Sequence, residues 1–424
     1  MDGIFDLELD LPGSSDEKHD FEEGNYSDTE NHDDSFIDVE TIDEPAGPAT
    51  TSSTYEEIPF SEFTDKFPPN RITIDDFEMM KVLGRGGFGK VLKVKKKSGA
   101  DKDSIYAMKV LKKAVLTKTT KDIEHAKAER NVLELADHPF ICQMFYAFQT
   151  AEKLYLILEY MNGGELYMLL ERENRLDDDD ARFYVIEILL ALEHLHLHGV
   201  IYRDLKPENV ALTGRGHIRL IDFGLCKEDI WDGDKAHTYC GTLEYIAPEV
   251  ILKQGHDHTA DWWSLATLMF DMLTGGPPFR GDTRMETQDS ILRKQPRFPR
   301  YIKPATQNLL YSMLRKKPEK RLGHAGAMEI KEHEFFDGVD WEEALEQKLT
   351  PPFLPCTDES RIFDPDVLRL PAVDSPCSSI PGSPAVNAFF GFSYMGQNGF
   401  AHQTNRTESS ASDTTTTSTP STTN

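Results

Sequence analysis

The sequence predicts an α+β fold in two lobes: a small antiparallel β lobe with one main helix, then a large, mostly helical lobe, flanked by polar tails. Three observations carry this. Between residues 77 and 160, short apolar runs are separated by glycine- and lysine-rich turns, as strands require. Beyond Asn162-Gly163-Gly164 the apolar runs lengthen to helical size. Residues 1–70 and 396–424 are acidic and Ser/Thr-rich respectively, compositions that favour disorder over a packed core.

Taken in order, FEMMKVLGRGGFGKVLKVKKK from Phe77 spells two strands joined by a glycine turn and followed by a lysine-rich loop. In SIYAMKVLKK the alternation puts Tyr106, Met108 and Val110 on one face and Ala107, Lys109 and Leu111 on the other. Residues 121–136 form a helix stopped by His138-Pro139, and the runs ICQMFYAF (from Ile141) and KLYLILEY (from Lys153) form two more strands. LDDDDARFYVIEILLALEHLHLHG then gives a helix with acids at its positive end and Gly199 at its stop. Its apolar residues wrap much of the circumference, so it is buried, and Trp262–Leu273 behaves the same way as the pillar of the large lobe. Helical pieces continue to Phe336, and beyond Pro351 the chain turns proline- and serine-rich.

The chain has 424 residues and a formal charge of −27, of which −19 falls in residues 1–70. Bulk charge therefore disfavours nucleic-acid binding. Five cysteines without C-x-x-C spacing fit a reducing compartment. MDGIFDLELD lacks the basic start and apolar run of a secretory signal, and no apolar stretch is long enough to span a bilayer. These features predict a soluble, monomeric protein without membrane insertion, resident in the cytoplasm, with nuclear residence left open.

The chemistry concentrates between Tyr202 and Gly224, where YRDLKPEN is followed by HIRLIDFG. Phosphoryl transfer needs a carboxylate at the attacking hydroxyl, cations over the phosphates and oxygen ligands for magnesium. Asp204 can accept the hydroxyl proton, Lys206 can face the transferring phosphate, and Asn209 and Asp222 can hold Mg²⁺. GRGGFGKV supplies G-x-G-x-x-G-x-V between two strands, where backbone N–H groups approach phosphates and Val91 roofs a base. The predicted nucleotide contacts are Leu83, Gly84, Arg85, Gly86, Gly87, Phe88, Gly89, Lys90, Val91 and Lys109. Glu129 lies on the predicted helix where it can pair with Lys109; alone, either residue is an ordinary solvated charge, and their joint occurrence with the other motifs decides between the readings.

These motifs, with DFGLCKEDIWDGDKAHTYCGTLEYIAPE, DWWSL and RLG, make residues 77–395 resemble a serine/threonine kinase of the AGC group, most like the ribosomal protein S6 kinases. The resemblance implies a bilobal protein kinase fold using ATP and Mg²⁺, with a small lobe at 77–160, a large lobe at 161–336 and a C-terminal extension at 337–395. It implies a hinge at Glu159 and Tyr160, Leu158 as gatekeeper, ribose contact from Glu165, and a Glu249–Arg321 pair. Glu165, Glu208 and Asp271 stand where carboxylates meet substrate arginines, although each could be a plain surface acid. Phosphosites are implied at Thr238, Ser375 and Ser393, with Arg203, Lys227 and His125 as cations for phospho-Thr238. Phe389 and Phe392 would fill a groove on the small lobe.

Implied partners are ribosomal protein S6, an upstream phosphoinositide-dependent kinase, and the TOR complex, recruited through its Raptor subunit by FDLEL (Phe5 to Leu9). The sequence departs from the family pattern at Ser393 for threonine, at Ala266 for glycine, and in the lack of a basic autoinhibitory segment after Tyr394. His194 and His198 have metal-capable i, i+4 spacing without the acid of H-E-x-x-H, so packing histidines are the favoured reading. Cys226 and Cys240 are expected to be plain thiols.

Overall fold

The first strands follow the alternation of the sequence. In the computed structural model, which describes residues 72–231, 233–374 and 388–396, they are β1 (Phe77–Arg85), β2 (Gly89–Lys96), β3 (Ile105–Lys112), β4 (Met144–Gln149) and β5 (Lys153–Glu159). They pair antiparallel in the order β1-β2-β3-β5-β4. On β3, Tyr106, Met108 and Val110 join the outer core with Phe77, Tyr146 and Phe148, whereas Ala107 and Lys109 face the interlobe cleft. One turn glycine is fixed by packing: a Cβ on Gly89 would lie 1.8 Å from the carbonyl oxygen of Val110. Gly87, by contrast, meets nothing within 4 Å and leaves the loop crest open.

Two expectations need correction. The strand expected from Ile141 begins at Met144, because the Phe140–Cys142 backbone bonds instead to Leu220 of the large lobe. A sixth strand of this sheet, absent from the sequence reading, appears at the end of the C-terminal extension. Tyr394–Met395 pairs with β4 through Tyr146↔Met395 and Ala147↔Tyr394.

Helix α1 (Thr120–Leu135) packs under the sheet by Ala126, Glu129, Val132 and Leu133, and Thr119 caps it by accepting from the Asp122 N–H at 3.1 Å. In the large lobe α2 (Leu166–Glu173) precedes α3 (Asp178–Leu197). Asp177 caps α3 by accepting from Asp179 and Asp180, and the acids of its first turn face the positive end of the helix dipole. Within α3, buried Glu187 accepts from His217 Nδ1–H at 2.6 Å and from the Ile218 N–H at 2.9 Å. That fixes the hairpin Val210–Leu212 / Ile218–Leu220 beneath the cleft.

Helix α4 (Thr259–Thr274) is the pillar, buried along nearly its whole length. Its Asp261 accepts from the backbone N–H groups of Tyr202 (2.9 Å) and Arg203 (2.8 Å) and from His196 Nε2–H (2.7 Å). Arg203 sits at φ +70°, a left-handed conformation costing a side-chain-bearing residue about 1 kcal/mol, and the Asp261 bonds help hold it there. Ala266 on α4 is fully buried. The pair expected from the resemblance is present: Arg321 meets Glu249 with two bonds of 2.7 and 2.8 Å and also donates to the Thr259 carbonyl, both side chains being buried.

Among the described residues no helix is long and apolar enough to cross a membrane. The tails at 1–70, with FDLEL, and 397–424, and also Ser375, lie outside the described residues.

Because removing one partner strands a buried charge, Glu249→Ala is expected to lower unfolding free energy by about 3–5 kcal/mol. Urea denaturation checks this, and an unchanged midpoint would refute it.

Candidate active site between the lobes

Every element around the cleft contributes one chemical part. Leu83 and Gly84 of β1, Val91 of β2 and Ala107 of β3 form its roof. Leu158, Glu159, Tyr160 and Met161 form the connecting strand's edge, and Ala211, Ile221 and Cys142 form the floor and back. The result is a narrow apolar slot, the shape a planar base fills.

At its inner end the Lys109 ammonium lies 2.6 Å from Glu129 Oε1 and 3.3 Å from Asp222 Oδ1. Burial alone would lower the Lys109 pKa, but Asp222 and Glu129 outweigh it and hold the ammonium firmly charged. Asp222 stands at φ +55°, and Phe223 behind it is buried edge-on to Tyr202. The Tyr202 hydroxyl in turn donates to the Ile221 carbonyl.

Asp204 is fixed from both sides. Its Oδ1 accepts from the Thr242 hydroxyl (3.0 Å) and N–H (3.2 Å); its Oδ2 accepts from Asn209 Nδ2 (2.8 Å) and lies 3.6 Å from Lys206 Nζ. With its amide nitrogen used on Asp204, Asn209 keeps its carbonyl oxygen for a cation. Asn209 and Asp222 thus present the hard oxygen donors that Mg²⁺ prefers. Among the described residues no cluster of three or more His, Cys, Asp or Glu side chains forms a self-contained metal cage. The remaining ligands must come from phosphate and water, which fits magnesium bound together with a nucleotide.

The structure brings the three arginine-reading candidates together. Burial, reinforced by Glu208, pushes the Glu165 carboxyl up to about 7 against the pull of Lys206. Burial also raises Glu208 and Asp271, and Asp271 accepts from the Tyr245 hydroxyl at 2.5 Å.

Several side chains point elsewhere than the motif alone implies. Lys90 turns away from the cleft and donates to the Val373 carbonyl, and Arg85 is exposed. Gly86, Gly87 and Phe88 form the loop crest, where the Gly86 N–H bonds the Gly89 carbonyl at 3.0 Å. The Glu159 carboxylate pairs with Arg219 at 2.9 Å, and the Tyr160 hydroxyl donates to Glu359 at 2.8 Å.

Thr238 is exposed. Arg203 donates to the carbonyls of Leu225 and Cys226, and its Nη1 is buried without a hydrogen-bond partner. Burial lowers the His125 pKa, and the charge of Arg203 lowers it further, so His125 stands beside Arg203 as a neutral ring and not as the second cation that the resemblance implies. Lys227 is exposed and bonds Ile201 through its backbone. The rings of His194 and His198 lie 4.5 Å apart in tilted contact, with His138 at 4.8 Å from His194, as packing rings; Cys226 and Cys240 are free thiols.

Sequence reasoning missed the C-terminal extension as a wall of the cleft. Ile362 and Phe363 line it. They are held by Glu359, which pairs with Lys81 at 2.5 Å and with Lys93; burial would raise this carboxyl, but Lys81, Lys93 and Tyr160 bring it down to about 2. Thr242 was also missed, although it stands in the quoted activation segment. Further along, Asp374 pairs with Lys153 at 2.6 Å and accepts from Tyr155 at 2.8 Å.

Phe389 and Phe392 are buried against the small lobe, as the resemblance implies, and Ser393 beside them is exposed. Gln149 donates to the Phe389 carbonyl at 2.8 Å and Arg130 to the Phe392 carbonyl at 3.1 Å. Three consecutive residues of α1 therefore hold three partners: Glu129 holds Lys109, Arg130 the extension at Phe392, and Asn131 the activation segment through Glu228 at 3.4 Å.

A β lobe over a helical lobe, with this cleft between them, defines a protein kinase, and the protein kinase domain model matches residues 77–336. The chain is 44% identical over 408 residues to ribosomal protein S6 kinase beta of Caenorhabditis elegans, covering 93% of this chain and 74% of that one. It is 44% identical to human ribosomal protein S6 kinase alpha-3 and 44% identical to zebrafish (Danio rerio) alpha-6, covering 84% of this chain in each case. It spans about half the length of those two relatives, 49% and 48%. The chain belongs to the ribosomal protein S6 kinase family of AGC-group kinases. It is a protein serine/threonine kinase that uses ATP and Mg²⁺ and acts on protein substrates.

Phe363→Ala is expected to raise KM for ATP about fivefold, from about 1 kcal/mol of lost apolar contact, with kcat within about twofold of wild type. Steady-state kinetics with varied ATP tests this; an unaltered KM would remove the extension from the nucleotide site.

Proposed function

We propose that this kinase phosphorylates Ser or Thr placed a few residues after arginines, that ribosomal protein S6 is among its substrates, and that it works as an effector of TOR and phosphoinositide signalling. The observation that carries the arginine reading is the grouping of half-buried Glu165, Glu208 and Asp271, the first two beside Lys206 and the third beside Arg280. Three carboxylates raised by desolvation gain most when a guanidinium arrives. The S6 assignment is supported by the names of the relatives, which are S6 kinases. The exposed Ser393 between docked aromatic residues supports control by an upstream phosphoinositide-dependent kinase. Phe5 to Leu9 supports recruitment to TOR through Raptor on sequence alone. Residence in the cytoplasm, as a monomer, belongs to the same reading.

In this mechanism Asp204, oriented by Thr242 and Asn209, takes the proton of the substrate hydroxyl at its carboxylate. Lys206 and Lys109 set positive charge over the phosphates, and Glu129 keeps Lys109 in position. Asn209 and Asp222 would hold Mg²⁺, which would supply positive charge against the phosphates. Arg203, with His125 near it, is the cation best prepared to receive phospho-Thr238, since its Nη1 has no other partner.

Two outcomes are expected. For an arginine-bearing peptide, kcat/KM falls about tenfold as pH drops from 8 to 6, because protonation of Glu165 below about 7 removes the charge that attracts arginine. The alanine-swapped peptide and the Glu165→Gln enzyme lack this dependence; identical profiles for all three would refute the arginine reading. Thr238→Ala keeps ATP affinity, measured by thermal shift, but loses about 100-fold or more in turnover of enzyme exposed to its activating kinase. Full turnover in the variant would remove Thr238 as the switch.

A further inference from the structure

One large-lobe side chain grips two stretches of the small lobe that come down onto it. Arg219 sits in the middle of the strand Ile218–Leu220 and is buried. Its Nε and Nη2 lie 2.9 and 3.4 Å from the two carboxylate oxygens of Glu159, the last residue of β5. Its Nη1 donates to the carbonyl of Pro139, in the loop between α1 and β4, and to the Ile218 carbonyl at 3.2 Å. Each nitrogen of the fork is thus engaged, on the end of β5, on the loop and on its own strand.

The backbone follows the same course. Cys142 N–H donates to the Leu220 carbonyl and Leu220 N–H to the Phe140 carbonyl, both at 2.9 Å, while Glu159 N–H donates to the Gln143 carbonyl at 2.8 Å. The loop at 139–143 therefore bonds both to the end of β5 and to the strand of Arg219, and the guanidinium ties all three. Both ends of this tie adjoin the nucleotide slot. Glu159 and Cys142 line it, and two residues beyond Leu220 stands Asp222.

A fourth segment reaches the same carbonyl. Gln347 of the C-terminal extension donates from Nε2 to Pro139 at 3.1 Å, and Arg215 donates to Gln347 Oε1 at 3.1 Å.

A planar fork bonded to a carboxylate and a carbonyl fixes angles as well as distances, which a lysine's single nitrogen does not. Turning one lobe on the other would shear these bonds, because their acceptors on Glu159 and Pro139 belong to the small lobe and their donor to the large one. The tie coexists here with the Lys109 contacts to Glu129 and Asp222, so it belongs to the assembled cleft.

We infer that Arg219 is a positioning residue for nucleotide binding. It lines no part of the slot itself and acts through Glu159 and Pro139, holding the hinge edge at the spacing adenine requires.

The test is steady-state kinetics of the full-length chain on a substrate peptide, with ATP and peptide varied separately. Arg219→Met is expected to raise KM for ATP about tenfold, with kcat and the peptide KM within about twofold of wild type, since nucleotide binding weakens alike in ground and transition states. Arg219→Lys, which keeps the charge without the fork, raises it about threefold. Glu159→Gln also raises it, and combining it with Arg219→Met adds nothing further, as members of one contact behave. A retained kcat at saturating ATP shows that Arg219→Met folds; if it does not fold, Arg219→Lys and Glu159→Gln decide. An unaltered KM for ATP in the folded variants overturns the proposal, as do additive effects in the double variant. A fall in kcat matching the rise in KM overturns it too, because a pair that only stabilises the fold loses both. So does a gain in turnover by Arg219→Met in enzyme lacking phospho-Thr238, since the tie would then restrain the cleft instead of assembling it.

Discussion

One buried ammonium, that of Lys109, ties β3, α1 and the turn at Asp222 together. A charge withdrawn from water needs opposite charge close by, and here each carboxylate comes from a different element. The cleft can therefore close around a nucleotide only while all three elements are in register. The rest of the structure serves that arrangement: Asp261 holds the Arg203 backbone in its unfavourable conformation, Phe223 packs under Tyr202, and Glu187 fixes the hairpin below. Core packing of α4 gives those contacts a rigid base.

Much of this was legible in the sequence because it is local. The two-residue period of β3 assigns Lys109 to the face it occupies, and the acids, apolar circumference and Gly199 define α3. Asp204, Asn209 and Asp222 are separated by fixed turns, so their spacing already encodes one site. The misses arise from distant pairing. Nothing in Ile141 says that its neighbours will bond Leu220 rather than extend β4. Nothing in Tyr394–Met395 announces a strand, since its partner β4 is supplied by the far side of the chain. Ile362 and Phe363 become a wall of the cleft only because Lys81 and Lys93, remote in sequence, hold Glu359. The third glycine of the loop had a convincing reason in phosphate approach, yet its closest neighbour is the Val110 carbonyl.

The extension is stitched to the small lobe at intervals, at Glu359, at Asp374 and at Phe389–Phe392. The first station reaches the nucleotide site and the last reaches α1, so one segment contacts both the substrate-binding and the switching side of the lobe. The ion pairs at Glu359 are partly exposed and are weakened by salt, whereas the aromatic station is apolar and is not.

The run Glu129-Arg130-Asn131 gives α1 a geometrical logic. Successive side chains on a helix diverge by about 100°, so these three positions sweep most of its circumference. One short run of helix thus carries, side by side, the contacts to the catalytic lysine, to the C-terminal extension at Phe392 and to the activation segment at Glu228.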